Sequence, residues 1–277
     1  MVEMKTPLAE ADLQFMIDLL AMRLGTRLEK DKEYLIKSRL EKIAEKEGKT
    51  DVGQLISYLR LHPHSQAAHD AVEAMTTNET YFFRDATPFV VLKEKVFPFF
   101  QDNRSKNKSL NIWSAASSTG QEAYSIAITI REWFPQFRDW NIQIIGTDVN
   151  AKVVARAREG VYSFTEISRG LTPEMLKKYF LKEKDEWRVS DDIRKMVKLW
   201  PMNLCQDWHA LPKMEIIFLR NVLIYMDDEN KKSILSRMHK TLQPDGFLFL
   251  GAAETTFNLS NLFQRMDIPM SGCFKRS

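Results

Sequence analysis

The chain has 277 residues, 44% of them hydrophobic, with a formal net charge of +3 and two cysteines. That length and apolar content can bury one large core and a smaller one, so two domains are expected and a disorder-dominated chain is excluded. The small net charge gives no global case for nucleic acid, Cys205 and Cys273 cannot build a disulfide framework, and no uncharged run is long enough to span a bilayer.

The first residues, MVEMKTPLAEADLQ, carry acidic groups and no apolar signal core, so neither secretion nor membrane insertion is expected and a reducing cytoplasm is the expected setting. Leu13, Met16, Leu20 and Leu24 then recur at helical spacing, with Gly25 as a stop signal. A second helix is expected over 31–48, its apolar stripe made by Ile36, Leu40, Ile43 and Ala44. On a different face, Arg39, Lys42 and Lys46 fall at steps of three and four. That row is either a solvated face, diluted by Glu41 and Glu45, or a docking strip for an acidic partner helix. A third helix fits 52–61, capped by Thr50 or Asp51, and a fourth 65–75. His62, His64 and His69 cluster there, but a zinc site wants a fourth ligand and usually cysteine or carboxylate, so no metal is expected.

Thr87-Pro88 opens a further helix with Phe89, Leu92 and Val96 inward. Strands are expected at 110–115, 142–147, 196–202, 215–221 and 246–252, with helices at 121–134, 150–159 and 227–242 between most of them. Gln243-Pro244-Asp245-Gly246 reads as a turn ending the last helix, and Gly272-Cys273-Phe274 as an antiparallel edge strand. Alternating strands and helices with apolar strands imply a largely parallel sheet covered on both faces. The stretch 160–195 breaks the alternation: a short helix from Thr172-Pro173 to Phe180 and a polar hairpin, KEKDEWRVSDD, form an inserted subdomain.

Chemistry concentrates in two motifs, NETYFFRD (78–85) and WSAASSTGQEAYS (113–125). The second ends a strand and opens a helix through a small-residue turn, which lets a ligand approach backbone N–H donors at a helix N-terminus. Only Gly120 is a glycine there, so G-x-G-x-x-G is absent and a single adenosyl group fits better than a dinucleotide. Asp148 ends the next strand, where a carboxylate can accept both hydrogen bonds of a ribose diol.

In this order, the blocks MTTNETYFFRD, WSAASSTGQEAYSIA, IIGTDVN, LTPEMLKKYF, MNL, FLRNVLIYM and PDGFLFLGAAE give a chain that resembles the CheR chemoreceptor glutamate methyltransferases along nearly its whole length. The resemblance implies an α/β, Rossmann-like S-adenosylmethionine-dependent methyltransferase domain at 81–277 with a small antiparallel β insertion at about 160–195. An all-α N-terminal domain at 1–80, docking receptors, precedes it. It implies transfer of methyl groups from S-adenosylmethionine to glutamate carboxylates on the cytoplasmic helices of chemoreceptors, leaving S-adenosylhomocysteine, by a cytoplasmic monomer without metal. By the same resemblance Asn78, Thr80, Arg84, Glu122, Asp148, Asn203, Leu204, Arg220 and Asn221 bind the cofactor. Arg84 and Tyr225 stand closest to the chemistry, and Arg39, Lys42 and Lys46 dock the substrate.

The insertion departs from the pattern, because LKEKDEW (181–187) lacks the glycines found in relatives that bind a receptor's C-terminal tether, so no tether is expected. A nucleic-acid adenine methyltransferase is disfavoured, since residues 220–225 read RNVLIY in place of a D/N/S-P-P-Y/F/W motif. A non-catalytic adapter that senses S-adenosylmethionine or S-adenosylhomocysteine is the alternative function.

Overall fold

The structure, a computed structural model, describes residues 7–208, 211–256, 259–269 and 271–277. The chain divides into two compact units: one runs to Thr77 and includes Tyr225–Asp227, the other comprises Asn78–Ile224 and Asp228–Ser277.

The first unit is helical. Helix α1 (Glu10–Leu24) stops at Gly25, whose φ of 64° lets its N–H reach the Ala21 carbonyl. Helix α2 (Glu33–Lys46) follows a single tight turn at Lys30–Lys32. Asp51 caps α3 (Val52–Leu61) by accepting from the Gln54 N–H, and Ser65 caps α4 (Gln66–Ala74) by accepting from that of Ala68. The expected stripes close on one core: Leu13 and Met16 of α1 pack with Ile36 and Leu40 of α2 and with Leu55, Ile56 and Leu59 of α3. Segment 225–227 joins this unit through a bridge between Met226 and Thr26 and a 2.9 Å bond from the Arg27 N–H to the Tyr225 carbonyl.

The second unit begins with α5 (Thr87–Val91), one widened turn (Leu92–Val96) and α6 (Phe97–Asn103). The expected single helix is thus interrupted, and Pro98 supplies the reason. Its ring and missing N–H cannot fit an unbroken α-helix, and the wide turn, in which the Phe97 N–H bonds to Leu92 O, absorbs the mismatch. Then come β1 (Ser109–Ala115), α7 (Gln121–Trp133), β2 (Asn141–Asp148) and α8 (Ala151–Glu159). The inserted segment holds β3 (Val161–Ser163), α9 (Phe164–Ile167), α10 (Pro173–Tyr179), β4 (Phe180–Glu183), β5 (Glu186–Val189) and α11 (Asp191–Arg194). The chain finishes with β6 (Val197–Pro201), β7 (Met214–Leu219), α12 (Asp228–Thr241), β8 (Leu242–Leu250), β9 (Phe263–Arg265) and β10 (Cys273–Arg276).

The main sheet has the order β6-β2-β1-β7-β8-β10-β9, parallel from β6 to β8, with β10 antiparallel to β8 and β9 antiparallel to β10. Buried side chains of β1, β2 and β7 and of α7 cover it, as the apolar runs required. The insertion forms a separate antiparallel sheet, β3-β5-β4. Two expectations are corrected. The 272–274 strand is not the edge, because β9 lies outside it. Residues 243–246, expected as a turn ending the last helix, follow directly after α12 but lie within β8, as a bulge whose ladder to β7 is irregular between the Met214–Leu242 and Ile216–Phe247 pairs. The bulge carries Asp245, which Arg104 grips with two hydrogen bonds of 2.7 and 2.9 Å.

Candidate functional site

Strand order changes direction between β1 and β7, and the carboxyl ends of β2, β1 and β7 stand side by side there. Such a switch point leaves a crevice that ligands use. After β1 the turn needs left-handed backbone at Ala116 (φ 57°), Ser118 (φ 49°) and Gly120 (φ 95°). A Cβ on Gly120 would stand 3.0 Å from that of Ala157, so the one glycine of the motif is required on both counts. The Ser117 N–H bonds to the Thr147 carbonyl at 2.8 Å, locking this turn onto β2.

Asp148, the last residue of β2, is buried and accepts 2.9 Å bonds from the backbone N–H groups of Ser118 and Asn150. Burial pushes its carboxyl above the usual carboxylate range, and the backbone donors only partly offset this. A neighbouring pair of hydroxyl donors would stabilise the ionised form. Ser117 Oγ and Asn221 Oδ1, in the turns after β1 and β7, are buried without a hydrogen-bond partner. One is a hydroxyl that can donate or accept and the other an amide oxygen that accepts, so both can take partners from a polar ligand.

Glu122 occupies the first turn of α7, where one carboxylate oxygen accepts from Ser114 Oγ at 2.7 Å and the other from Arg220 at 3.0 Å. The Arg220 side chain, 1% exposed at the end of β7, also pairs with Asp85 at 2.7 Å and donates to the Arg84 carbonyl at 2.9 Å. It therefore binds segment 78–85 to the head of α7. That segment is held at two further points, the Asn78 carbonyl accepting from Ser118 Oγ at 2.9 Å and the Phe83 N–H donating to Ser125 Oγ at 2.9 Å, and it is closed on itself by Arg84 Nη1 donating to the Glu79 carbonyl at 2.7 Å. Phe83, Asp85 and Ala86 all have positive φ, so the segment is bent against backbone preference and persists because these contacts over-determine it. Of its aromatics, Phe82 is fully buried, edge-on to Tyr162 and Phe180 of the insertion, whereas Tyr81 is only half-buried.

The remaining expected residues sit at strand ends. Asn203 follows β6 and accepts from the Cys205 N–H at 2.8 Å, while buried Leu204 offers its carbonyl to Arg237 at 2.6 Å. Asn221 follows β7 with φ 59°. Its turn is organised by Glu254, the last residue of the block PDGFLFLGAAE. One carboxylate accepts N–H bonds from Asn221 and Val222 at 2.8 Å, Ile224 at 3.3 Å and Gly251 at 2.7 Å. Its only signal in the sequence is a glutamate close after an apolar strand, four residues past the end of β8. Tyr225 comes next, 41% exposed.

Asn78 and Thr80 line a cavity of about 410 Å³ with Thr119, Gln121, Lys152 and Arg156, while Asp148, Glu122, Arg220 and Asn221 lie outside that lining. In the helical unit, Arg39 donates to the Met75 and Thr76 carbonyls at 2.8 and 3.1 Å, capping the end of α4, and Lys46 pairs with Asp70 at 2.9 Å. Lys42 is exposed. Among the described residues, no group of three or more His, Cys, Asp or Glu is arranged to hold a metal ion, and no helix is long and apolar enough to cross a membrane.

Residues 78–271 match the family described as CheR methyltransferase, SAM binding domain, and residues 11–76 match CheR methyltransferase, all-alpha domain. The chain is 41% identical over 245 residues to chemotaxis protein methyltransferase Cher2 of Pseudomonas putida, covering 87% of this chain and 88% of that protein. It is 39% identical over 261 residues to chemotaxis protein methyltransferase 1 of Pseudomonas aeruginosa, covering 92% and 94%.

Proposed function

The chain belongs to the CheR methyltransferase family and is an S-adenosylmethionine-dependent methyltransferase of chemotaxis, and from that premise we propose that it methylates glutamate side chains on the cytoplasmic helices of chemoreceptors, as a cytoplasmic monomer without a metal ion. Family membership favours catalysis over the adapter alternative. The division of labour in this reading is receptor docking by residues 1–80 and cofactor binding and chemistry by 81–277, with the insertion at about 160–195.

The observation that supports the cofactor site is the buried Asp148 carboxylate at the carboxyl end of β2, with unpartnered Ser117 Oγ and Asn221 Oδ1 in the turns after β1 and β7. In this reading Asp148 takes the ribose hydroxyls and Glu122 the cofactor's amino group, with Asn78, Thr80, Asn203, Leu204 and Asn221 lining the rest. Arg220 acts through Glu122 and the Arg84 carbonyl. When bound, S-adenosylmethionine supplies an electrophilic methyl group on a sulfonium. The acceptor glutamate has a reference pKa of about 4.3 and is ionised near neutrality, so no general base is needed. What the chain provides is alignment and exclusion of water. Arg84 holds the incoming carboxylate by a charge-assisted contact, and the Tyr225 hydroxyl orients it.

The decisive experiment mixes the purified chain with methyl-labelled cofactor and receptor cytoplasmic fragments. Label should appear on the fragments as alkali-labile ester; alkali-stable label, or none, would overturn the substrate assignment. In the same assay Arg84→Lys, which keeps the charge but loses the planar fork, should lower kcat about tenfold and leave cofactor affinity nearly unchanged. Wild-type turnover in that variant would return Arg84 to a structural role.

Asp148→Asn should weaken cofactor binding by about 1.5–3 kcal/mol in calorimetry, because a charged acceptor is lost. Ligand hydroxyls donate to the ionised carboxylate, whose pKa is raised by burial. Affinity of the native protein should accordingly fall as pH drops through that raised pKa, and the Asn variant should lack this dependence. Equal affinity in both proteins would remove Asp148 from the ribose site.

For docking, reversing all three basic residues of α2 would also break the Arg39 and Lys46 contacts within the helical unit. Lys42→Glu is the clean variant. It should raise the Michaelis constant for receptor by about threefold at low ionic strength, with the difference shrinking above 0.1 M salt. An unchanged constant at low salt would make the face merely solvated.

A further inference from the structure

The turn after α9 reaches back to the segment that carries Arg84. Gly170 has φ +84°, and a Cβ built there would fall 1.7 Å from the Phe82 carbonyl oxygen, so backbone lies directly against backbone. Its neighbour Arg169 is thereby fixed beside residues 79–81. The Arg169 guanidinium lies over the Tyr81 ring, 4.2 Å from its centroid, and Nη1 is 3.8 Å from the Glu79 carboxylate. The same two residues hold Arg84, whose guanidinium is 5.8 Å from the Tyr81 centroid and donates to the Glu79 carbonyl at 2.7 Å. The two residues that the Arg84 guanidinium touches, Tyr81 through its ring and Glu79 through its carbonyl, are thus also touched by Arg169, which meets the same ring and the Glu79 carboxylate.

We infer that Arg169 is a positioning residue for the methyl-transfer site, bracing Tyr81 and Glu79 so that Arg84 holds one orientation. The insertion thus contributes to turnover as well as to the fold. This rests on the assignment of Arg84 to the acceptor carboxylate. Cation–π contact and ion pairing at a half-exposed site are each weak, but orientation of the group that holds the nucleophile multiplies their effect on rate. A lysine retains both the charge and the ring contact, so it should substitute in part, whereas leucine at 81 removes the platform from both guanidiniums.

The test compares Arg169→Ala, Arg169→Lys, Tyr81→Leu and the Arg169→Ala/Tyr81→Leu double variant with the native chain. Expected are a kcat about tenfold lower in Arg169→Ala with KM for cofactor unchanged, recovery to within about threefold in Arg169→Lys, and no further loss in the double variant beyond Tyr81→Leu. Native kcat in Arg169→Ala, or multiplying losses in the double variant, overturns the inference. Hydrogen exchange of the full-length protein reads the brace without catalysis: Arg169→Ala should speed exchange of amides in 79–86 and leave those of β1 alone. Unchanged exchange there also overturns it. If the native chain transfers no methyl to receptor fragments, the substrate reading fails by itself and the exchange arm still decides the role of Arg169.

Discussion

Gly170→Ala should lower the unfolding temperature of the methyltransferase unit by about 10 °C, because an added methyl overlaps a backbone carbonyl that no rotamer can move. Overpacking of this kind costs about 3 kcal/mol, and strain from the left-handed φ of 84° adds about 1 kcal/mol more. Gly160→Ala is the comparison that separates the two. Its φ of 66° carries similar strain, but the nearest atoms are 3.3 Å away on the Arg194 side chain, which can swing aside. It should cost only about 1 kcal/mol. Scanning calorimetry of both variants reads the difference. Equal losses would show that the turn at 170 yields without disturbing Phe82, and would remove the physical basis for coupling the insertion to Arg84.

Arg220→Met should cost about 3 kcal/mol in urea denaturation, since it leaves the Glu122 and Asp85 carboxylates facing a site with no cation while methionine fills most of the volume. A buried pair gains little net stability over a well-packed apolar replacement, but a carboxylate left behind is expensive. Adding Glu122→Gln to Arg220→Met should therefore recover a large part of the loss, a coupling expected only for groups in direct contact. Cofactor affinity should fall about tenfold with it, because the Arg84 carbonyl and Glu122 lose their common anchor. A stability change within about 0.5 kcal/mol, the range of an ordinary surface substitution, would show that the two carboxylates do not depend on Arg220.

Sequence patterns revealed most of the framework for reasons that can be named. Ile36, Leu40 and Ala44 lie on the buried stripe of α2, and the central strands β1 and β7 of the parallel sheet are buried along nearly their whole length. Motif glycines and acids were readable because geometry restricts them: Gly120 by positive φ, Asp148 by its place at the carboxyl end of a strand. Where pairing partners lie far apart in sequence, local pattern failed. Strand β9 is only three residues long and exists because β10 offers an open edge, and residues 243–246 look like a turn because Pro and Gly are turn formers even inside a bulged strand. Spacing put Arg39, Lys42 and Lys46 on one face of α2, but it could not show that Arg39 reaches the end of α4 and Lys46 reaches Asp70. Glu254 was missed for the same cause, since its four amide partners depend on how two strands align.

That dependence has a bearing on the order in which the protein assembles. Asn221, Val222 and Ile224 leave the ribosome well before Glu254, and in the folded unit their amides turn toward a carboxylate that arrives only after α12 and the whole of β8 have been made. Until β8 lies along β7, with Phe249 beside Phe218 and Leu250 beside Leu219, the turn after β7 has no partner to set its shape. The nascent chain can thus hold helices, motif turn and the buried Asp148 carboxylate in sequence order and still lack a finished crevice. Completion of the site is a late folding event, reserved for a chain that has committed its last parallel strand to the sheet.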